Sequence, residues 1–470
     1  MAGEIDVTLS ALHVSGAASA EIGDESLLVP GGLPGERVRV KRLRSVGRHT
    51  LAEIVSVLDA SPQRVVPRCR HASDCGGCAW QHVAYPEQLR LKTSVLEERL
   101  SRVLGERAPR VAPMLGMPVG ADGMPWGFRQ KSAFVFGQQA GRLTMGHFAR
   151  GTHEVVPVVE CPVHPERANR IAFALRDRLQ RAGVTSAGDD LRGLARHVLV
   201  RTSRDGREAV AVLVATRGDP ALEAPLRALL AGPDKPEGLA LNLHDRRGPF
   251  LVGRETRRIG GSGHVKETSL GPAFLVSPTA FFQTNVTAAA TLLRLVVEGC
   301  EGVAKVLDLY SGSGLFALPL ALRGHAVTAV EESRKAGRDA ELNRRTNGVS
   351  EERLRLVCAS VESALPWLAK EGFDAVVLDP PREGAPPEVL SAVFRRLRPA
   401  RGILVSCNPD ALARELAVAL AAGYRARTIQ PVDMFPHTPH IEAVAVLERA
   451  DPVTRPARGH PTSRRPRRRA

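Results

Sequence analysis

The sequence predicts an α/β protein. A doubly wound, mostly parallel sheet fills the last third of the chain, preceded by a small N-terminal β-barrel and a central α+β domain. Three observations carry this expectation. At 470 residues the chain exceeds what one hydrophobic core supports, so two or three domains are the default. The first sixty residues alternate apolar and polar positions between turn signals. From about residue 296, short apolar runs alternate with helical segments, the rhythm of strand–helix–strand units.

In residues 1–60, "IDVTLSALH" and "ASAEIGDESLLV" read as strands, "VPGGLPGE" as a turn cluster and "RVRVKRL" as a short basic strand. About five strands of this kind fit a barrel of the oligonucleotide-binding type. "SPQRVVP" then leads into a cysteine-rich stretch, and "YPEQLRLKTSVLEERLSRVL" has helical apolar spacing. Residues 61–290 read as one α+β domain. Its strands are "FRQKSAFVFG" and "RLTMGHF", its amphipathic helix is "HPERANRIAFALRDRLQRAG", and "LARHVLVRTSRDGREAVAVLVATRG" suggests a hairpin. Residues 291–450 supply the doubly wound unit, with strands in "VAKVLDLYSG", "HAVTAVEES", "LRLVCAS", "FDAVVLDPPR", "GILVSCNP" and "HIEAVAVLER".

The net charge of +15 points to a polyanionic partner. The last twenty residues, 451–470, hold seven Arg and one Asp among many prolines, a segment expected to be a disordered basic tail. Such a tail grips phosphates without sequence preference, or serves only solubility. No stretch approaches the ~20 apolar residues of a membrane span, and the start "MAGEIDVTLSALHVSG" has no signal-peptide pattern. A cytoplasmic location and a monomer are the default expectations.

The chemistry concentrates at strand ends. "VLDLYSGSGLFALPLA" is a strand entering a turn with Gly312 and Gly314, and Glu331 closes the next strand about twenty residues on. A carboxylate there accepts hydrogen bonds from ribose hydroxyls. The spacing is not G-x-G-x-x-G, which weakens the case for a dinucleotide. The turn resembles the first loop of Rossmann-like class I methyltransferases that use S-adenosylmethionine. Further strand ends give Asp379 in "VVLDPPREGA", Cys407 in "GILVSCNPDALA" and Glu442 in "PHIEAVAVL". A strand-end cysteine is most often a small buried hydrophobe, which is the reading for Cys300 and Cys358. Cys407 differs in its company. Methylating C5 of a pyrimidine requires a nucleophile to add at C6 and a base to remove the C5 proton, and a thiolate with a nearby carboxylate meets both needs. Asp379 is either a hydrogen-bond acceptor for the ring N3–H or a cofactor contact.

Four cysteines remain, Cys69, Cys75 and Cys78 in "CRHASDCGGC" and Cys161 in "ECPVH". Zinc and an iron–sulfur cluster are both open on the residues alone. The spacing has one C-x2-C pair where zinc ribbons usually use two.

Taken together, "PRCRHASDCGGCAWQH", "ECPVH", "SPTAFFQTN", "DLYSGSG", "VEES", "LDPPREG", "SCNP" and "HIE" resemble, in order, the motifs of the RNA (uracil-5-)-methyltransferase family. The likeness covers residues 5–448. It implies a TRAM-type barrel at the N-terminus, a [4Fe–4S] cluster on Cys69, Cys75, Cys78 and Cys161, and a class I methyltransferase domain. It implies Cys407 as nucleophile and Glu442 as proton acceptor. Gln283, Tyr310, Glu331 and Asp379 would line the S-adenosylmethionine pocket. The chain departs from the family pattern at Ser311, where a cysteine is common, at Leu315 and at Ser360. The implied partner is RNA, with 23S ribosomal RNA favoured and the T-loop of transfer RNA as alternative. A non-catalytic RNA-binding protein would share the barrel, but the intact "SCNP" beside "DPPR" argues against it. A cytosine-directed enzyme would carry its cysteine on the preceding strand. Arg129 and Lys131 are expected on the RNA surface. Trp80 and Phe128 either stack bases or pack in the core.

Overall fold

The computed structural model describes residues 4–248 and 250–450; the basic tail expected at 451–470 lies outside the described residues. The N-terminal strands are β1 (Glu4–Thr8), β2 (Ala11–Leu12), β3 (Ala18–Ile22), β4 (Glu25–Val29), β5 (Arg37–Val46) and β6 (His49–Asp59). They form one sheet in the order β1-β5-β6-β4-β3-β2 around a small core of Val7, Leu27, Val38 and Val40. Alternation in β5 does the sorting: Val38 and Val40 turn inward, while Arg37, Arg39 and Lys41 stay exposed.

Helix α1 (Tyr85–Leu104) follows the cysteine segment. Pro86 suits its first turn, where the missing N–H costs nothing. Gly105, at φ +58°, ends it. Its buried residues recur at helical spacing, but they pack on the C-terminal core beside Leu309, Leu378 and Leu404. Chain order and packing therefore part company here.

The central sheet contains β7 (Lys131–Gln139), β8 (Arg142–Phe148), β9 (Val155–Pro157), β10 (Ala195–Thr202), β11 (Ala209–Ala215), β12 (Gly238–Leu243) and β13 (Glu255–Gly261). Its order is β13-β12-β11-β10-β7-β8-β9, with the expected hairpin formed by β10 and β11. Helices α2 (Glu166–Arg181) and α3 (Glu223–Ala231) cover one face, burying Ile171, Leu175, Leu179 and Leu226. A short hairpin, β14 (Val265–Glu267) and β15 (Phe274–Val276), precedes α4 (Val286–Gly299). Asn285 caps α4 by accepting from the Ala288 N–H.

The remaining chain is the doubly wound unit. Its strands are β16 (Lys305–Leu309), β17 (Ala326–Glu331), β18 (Leu354–Cys358), β19 (Ala375–Leu378), β20 (Arg401–Ser406), β21 (Tyr424–Val432) and β22 (Glu442–Arg449). The order is β18-β17-β16-β19-β20-β22-β21, parallel except that β22 runs antiparallel to both neighbours. Strands β16, β19 and β20 are apolar and buried almost throughout, as a sheet covered on both faces requires. Helices α5 (Ala317–Leu322), α6 (Arg334–Thr346), α7 (Val361–Leu368), α8 (Pro387–Ser391, continued by a π-helical turn to Leu397) and α9 (Pro409–Ala421) provide the cover. Strand order reverses between β16 and β19, and such switch points open a crevice at the carboxyl edge. Among the described residues, no helix is long and apolar enough to cross a membrane.

Candidate active site

The first wall of that crevice is the turn after β16. Tyr310 stands at φ +63°, a region where a side chain is strained and where functional turns store strain. Gly312 follows at φ +56° with open space in front of it, so conformation rather than crowding calls for glycine there. The Ser311 N–H donates to Val330 O at 3.0 Å. Glu331, at the end of β17, accepts from the Gly312 N–H at 2.8 Å and from the Ser333 N–H at 2.7 Å. One carboxylate thus fixes both turns and keeps lone pairs for a ligand.

The second wall comes from β19, β20 and β22. Ser406 pairs with Ala443, so the next residues outward, Cys407 and Glu442, come opposite each other at the sheet edge. Asn408 caps α9 through the Asp410 N–H, and its amide donates to Arg382 O at 2.9 Å, tying "SCNP" to "DPPR". The Ala385 N–H donates to Glu415 at 2.8 Å, holding the far side of that loop. A third element is the segment before α4. Lys131 and Arg201 both donate to Ala280 O, at 3.3 and 2.8 Å, and the Gln130 N–H donates to Thr284 O at 2.7 Å. The central sheet thereby places Gln283.

One cavity of about 660 Å³ is lined by Gln283, Tyr310, Glu331, Asp379, Cys407 and Glu442 together. That volume suits a nucleoside-sized ligand. Arg129, Phe281, Arg382 and Phe435 also line it. Phe435 carried no sequence signal, because it sits in an irregular stretch between two strands. Lys131 is partly buried and engaged with Ala280 instead of facing solvent. Burial and the neighbouring Arg201 push its amine down to about 7. Trp80 and Phe128 are buried, and the Trp80 indole N–H donates to Gly16 O at 2.9 Å, so both are core residues. Ser360 caps α7.

The cavity is electrostatically unusual. Burial pushes the Asp379 carboxyl up to about 7. Burial, reinforced by Asp379, holds Glu442 well above the ordinary carboxylate range. Burial and then Glu442 and Asp379 push the Cys407 thiol up to about 11, with Arg382 opposing them. Buried acids raised in this way are brought back to their ionised forms by a positive charge placed beside them.

The four remaining cysteines line a second cavity of about 420 Å³, with Arg129 shared between the two. Gly76 lies close to the neighbouring strand: a Cβ would stand 3.0 Å from Phe148 O and 3.3 Å from Arg150 Cα, a tight fit. The Gly77 N–H donates to Cys75 Sγ at 3.4 Å, and the Cys69 N–H to the Gln81 side chain at 3.2 Å. Burial pushes Cys78 up to about 11 and Cys161 to about 12, and the thiols raise one another further. Thiols so grouped fit a cationic centre. His147, Cys161 and His164 also bring ligand atoms within 4.8 Å of one another.

Known proteins resemble the chain over nearly its whole length. The family model of tRNA (uracil-5-)-methyltransferase matches residues 273–450. An uncharacterized RNA methyltransferase of Gloeobacter violaceus is 34% identical over 452 residues, covering 95% of this chain and 96% of that protein. Another, from Caldanaerobacter subterraneus, is 32% identical over 95% of this chain and 98% of its own length. The crystal structure of the Pyrococcus abyssi tRNA (uracil-54, C5)-methyltransferase with S-adenosyl-L-homocysteine superposes with a TM-score of 0.75 at 26% identity, covering 94% of this chain and 100% of that one. The chain belongs to the RNA (uracil-5-)-methyltransferase family and is an S-adenosylmethionine-dependent RNA methyltransferase.

Proposed function

We propose that the protein methylates C5 of a uridine in RNA through a transient bond between Cys407 and C6. The observation that carries the reading is the meeting of Cys407 and Glu442 in the cavity that also holds the cofactor-type residues. S-adenosylmethionine, when bound, supplies an electrophilic methyl on a cationic sulfur. Gln283, Tyr310, Glu331 and Asp379 bind and orient it. Cys407, as thiolate, adds to C6, and the C5=C6 electrons shift toward the C4 carbonyl to make C5 nucleophilic. Once C5 has taken the methyl, Glu442 removes the C5 proton, the double bond re-forms and the thiolate leaves. The target base must stand clear of its stack to reach so recessed a thiol.

Cys69, Cys75, Cys78 and Cys161 would hold a [4Fe–4S] cluster, whose service here is to cross-link distant chain segments. The His147–Cys161–His164 grouping favours zinc as a second reading. Iron and acid-labile sulfide analysis of anaerobically purified protein separates the two. The N-terminal sheet, read as a TRAM-type barrel, presents the exposed Arg37, Arg39 and Lys41 to RNA. A cytoplasmic monomer acting on 23S ribosomal RNA is the reading we favour, on the barrel together with the cysteine site. A transfer RNA uridine is the second substrate, favoured by the likeness to the Pyrococcus abyssi tRNA (uracil-54, C5)-methyltransferase. Nucleoside mass spectrometry on both RNAs, with and without the gene, tests this. Loss of 5-methyluridine from 23S RNA supports the first substrate, and loss from transfer RNA alone the second. No loss from either pool overturns both.

A further inference from the structure

Strands β21 and β22 are joined by an irregular excursion, residues 433–441, whose closing pair is Val432 and Glu442. Phe435 within it lines the catalytic cavity, and Glu442 ends it. The excursion is held by one face of α1. Tyr85, Gln88 and Lys92 are spaced three and four apart and are all buried. Lys92 Nζ donates to Asp433 Oδ1 at 2.6 Å and to Phe435 O at 3.0 Å. The Tyr85 hydroxyl donates to Asp433 Oδ2 at 2.9 Å and accepts from the Met117 N–H at 2.7 Å. The Gln88 side-chain oxygen accepts from the His437 N–H at 2.8 Å. His437 itself is fully buried at φ +64°, with Nε2 2.8 Å from Pro125 O. Asn285 closes the other side by donating to Met434 O at 3.1 Å.

Lys92 and Asp433 are both 0% exposed. A fully buried ion pair is a poor way to stabilise a fold, because apolar residues of the same volume do as well without desolvating two charges. What a charged pair supplies is direction. Here it ties the excursion at the Asp433 carboxylate and the Phe435 carbonyl, on the stretch that leads to the candidate base. We propose that Lys92 is a positioning residue: with Asp433 it fixes the 433–441 excursion so that Glu442 meets the C5 proton of the Cys407-bound base. The inference rests on the thiolate mechanism proposed above.

The role has a signature that plain structural support lacks. Misplacing Glu442 slows proton removal but not attack by Cys407, so methylated RNA stays covalently attached. The test compares wild type, Glu442→Gln and the charge-free pair Lys92→Met with Asp433→Asn. Multiple-turnover methylation, S-adenosylhomocysteine affinity and the fraction of enzyme in a denaturation-resistant RNA complex are measured. The double variant should turn over ~10–100-fold more slowly, the cost of about an ångström of misplacement. Its cofactor affinity should stay unchanged, and the methylated covalent complex should accumulate as in Glu442→Gln. Wild-type turnover in the folded double variant overturns the inference, as does slow turnover without accumulated complex. If Glu442→Gln itself accumulates no complex, the mechanism has failed rather than the positioning role alone. Should the double variant not fold, Tyr85→Phe, which deletes one hydroxyl on Asp433, decides: a milder slowing with detectable complex supports the role, and wild-type behaviour overturns it.

Discussion

Burial, with Glu442 and Asp379 beside it, pushes the Cys407 thiol up to about 11, which disfavours the thiolate at neutral pH. Its reactivity must then come from charge brought in with the cofactor and from Arg382. Replacing Arg382 by Met should therefore slow adduct formation in rapid-mixing experiments while leaving release unchanged. Asp379 gives a stability prediction as well. Its carboxyl is raised by burial to about 7, so the folded state holds a proton that the unfolded chain releases near 4. Stability is then lost as pH rises between those values, by roughly 2–4 kcal/mol. Asp379→Asn should raise the melting temperature at pH 8 but not at pH 4, and should weaken S-adenosylhomocysteine binding in calorimetry. In wild type, cofactor affinity should fall as pH drops through about 7 and the acceptor is protonated.

At the level of elements, the carboxyl edge of the parallel sheet was legible because each motif is local. A strand, a turn and one functional side chain lie within a few residues, and the sheet brings the ends together whatever the intervening helices do. Glycine spacing and the acid at 331 therefore sufficed for the first two turns. The contribution of α1 was not legible. Its apolar spacing says that one face is buried, but not against which sheet, and it joins the C-terminal core across more than 200 residues. Lys92 and Asp433 lie 341 positions apart, and no local pattern announces such a pair. Phe435 was hidden for the same reason. Strand β8 offers an element-scale test. At Gly146 an added Cβ would stand 1.8 Å from Val156 O on β9. Beyond it, Ala149 bridges to Cys75 and Phe148 O accepts from Gly76. Gly146→Ala should cost about 1–3 kcal/mol by overpacking and, on the iron–sulfur reading proposed above, lower the iron content of the purified protein.

For the whole molecule, the charge of +15 and the exposed arginines of β5 predict RNA affinity that falls steeply with salt. Replacing Arg37, Arg39 and Lys41 by Gln should flatten that slope and leave S-adenosylhomocysteine binding intact. The cysteine cavity shares Arg129 with the catalytic one, so the two are adjacent, and a centre there would brace the segments around the catalytic cavity. Cys75→Ser should then weaken RNA binding along with loss of iron; unchanged binding in the iron-free variant would remove the bracing role. That Cys69, Cys75 and Cys78 belong together was legible from their crowding in a cysteine-poor chain, whereas Cys161, more than 80 residues on, was joined to them by the family resemblance. Their ligand was left open by the residues themselves, since four thiolates serve zinc and an iron–sulfur cluster alike. The central claim remains the covalent step at Cys407. It is tested most directly by incubating the enzyme and S-adenosylmethionine with RNA carrying 5-fluorouridine, which has no C5 proton to lose, and mapping the trapped peptide by mass spectrometry. A methylated, fluorinated nucleotide attached at Cys407 is expected, with no complex from Cys407→Ala. A complex that survives Cys407→Ala, or none with the wild-type enzyme on an RNA it methylates, would contradict it.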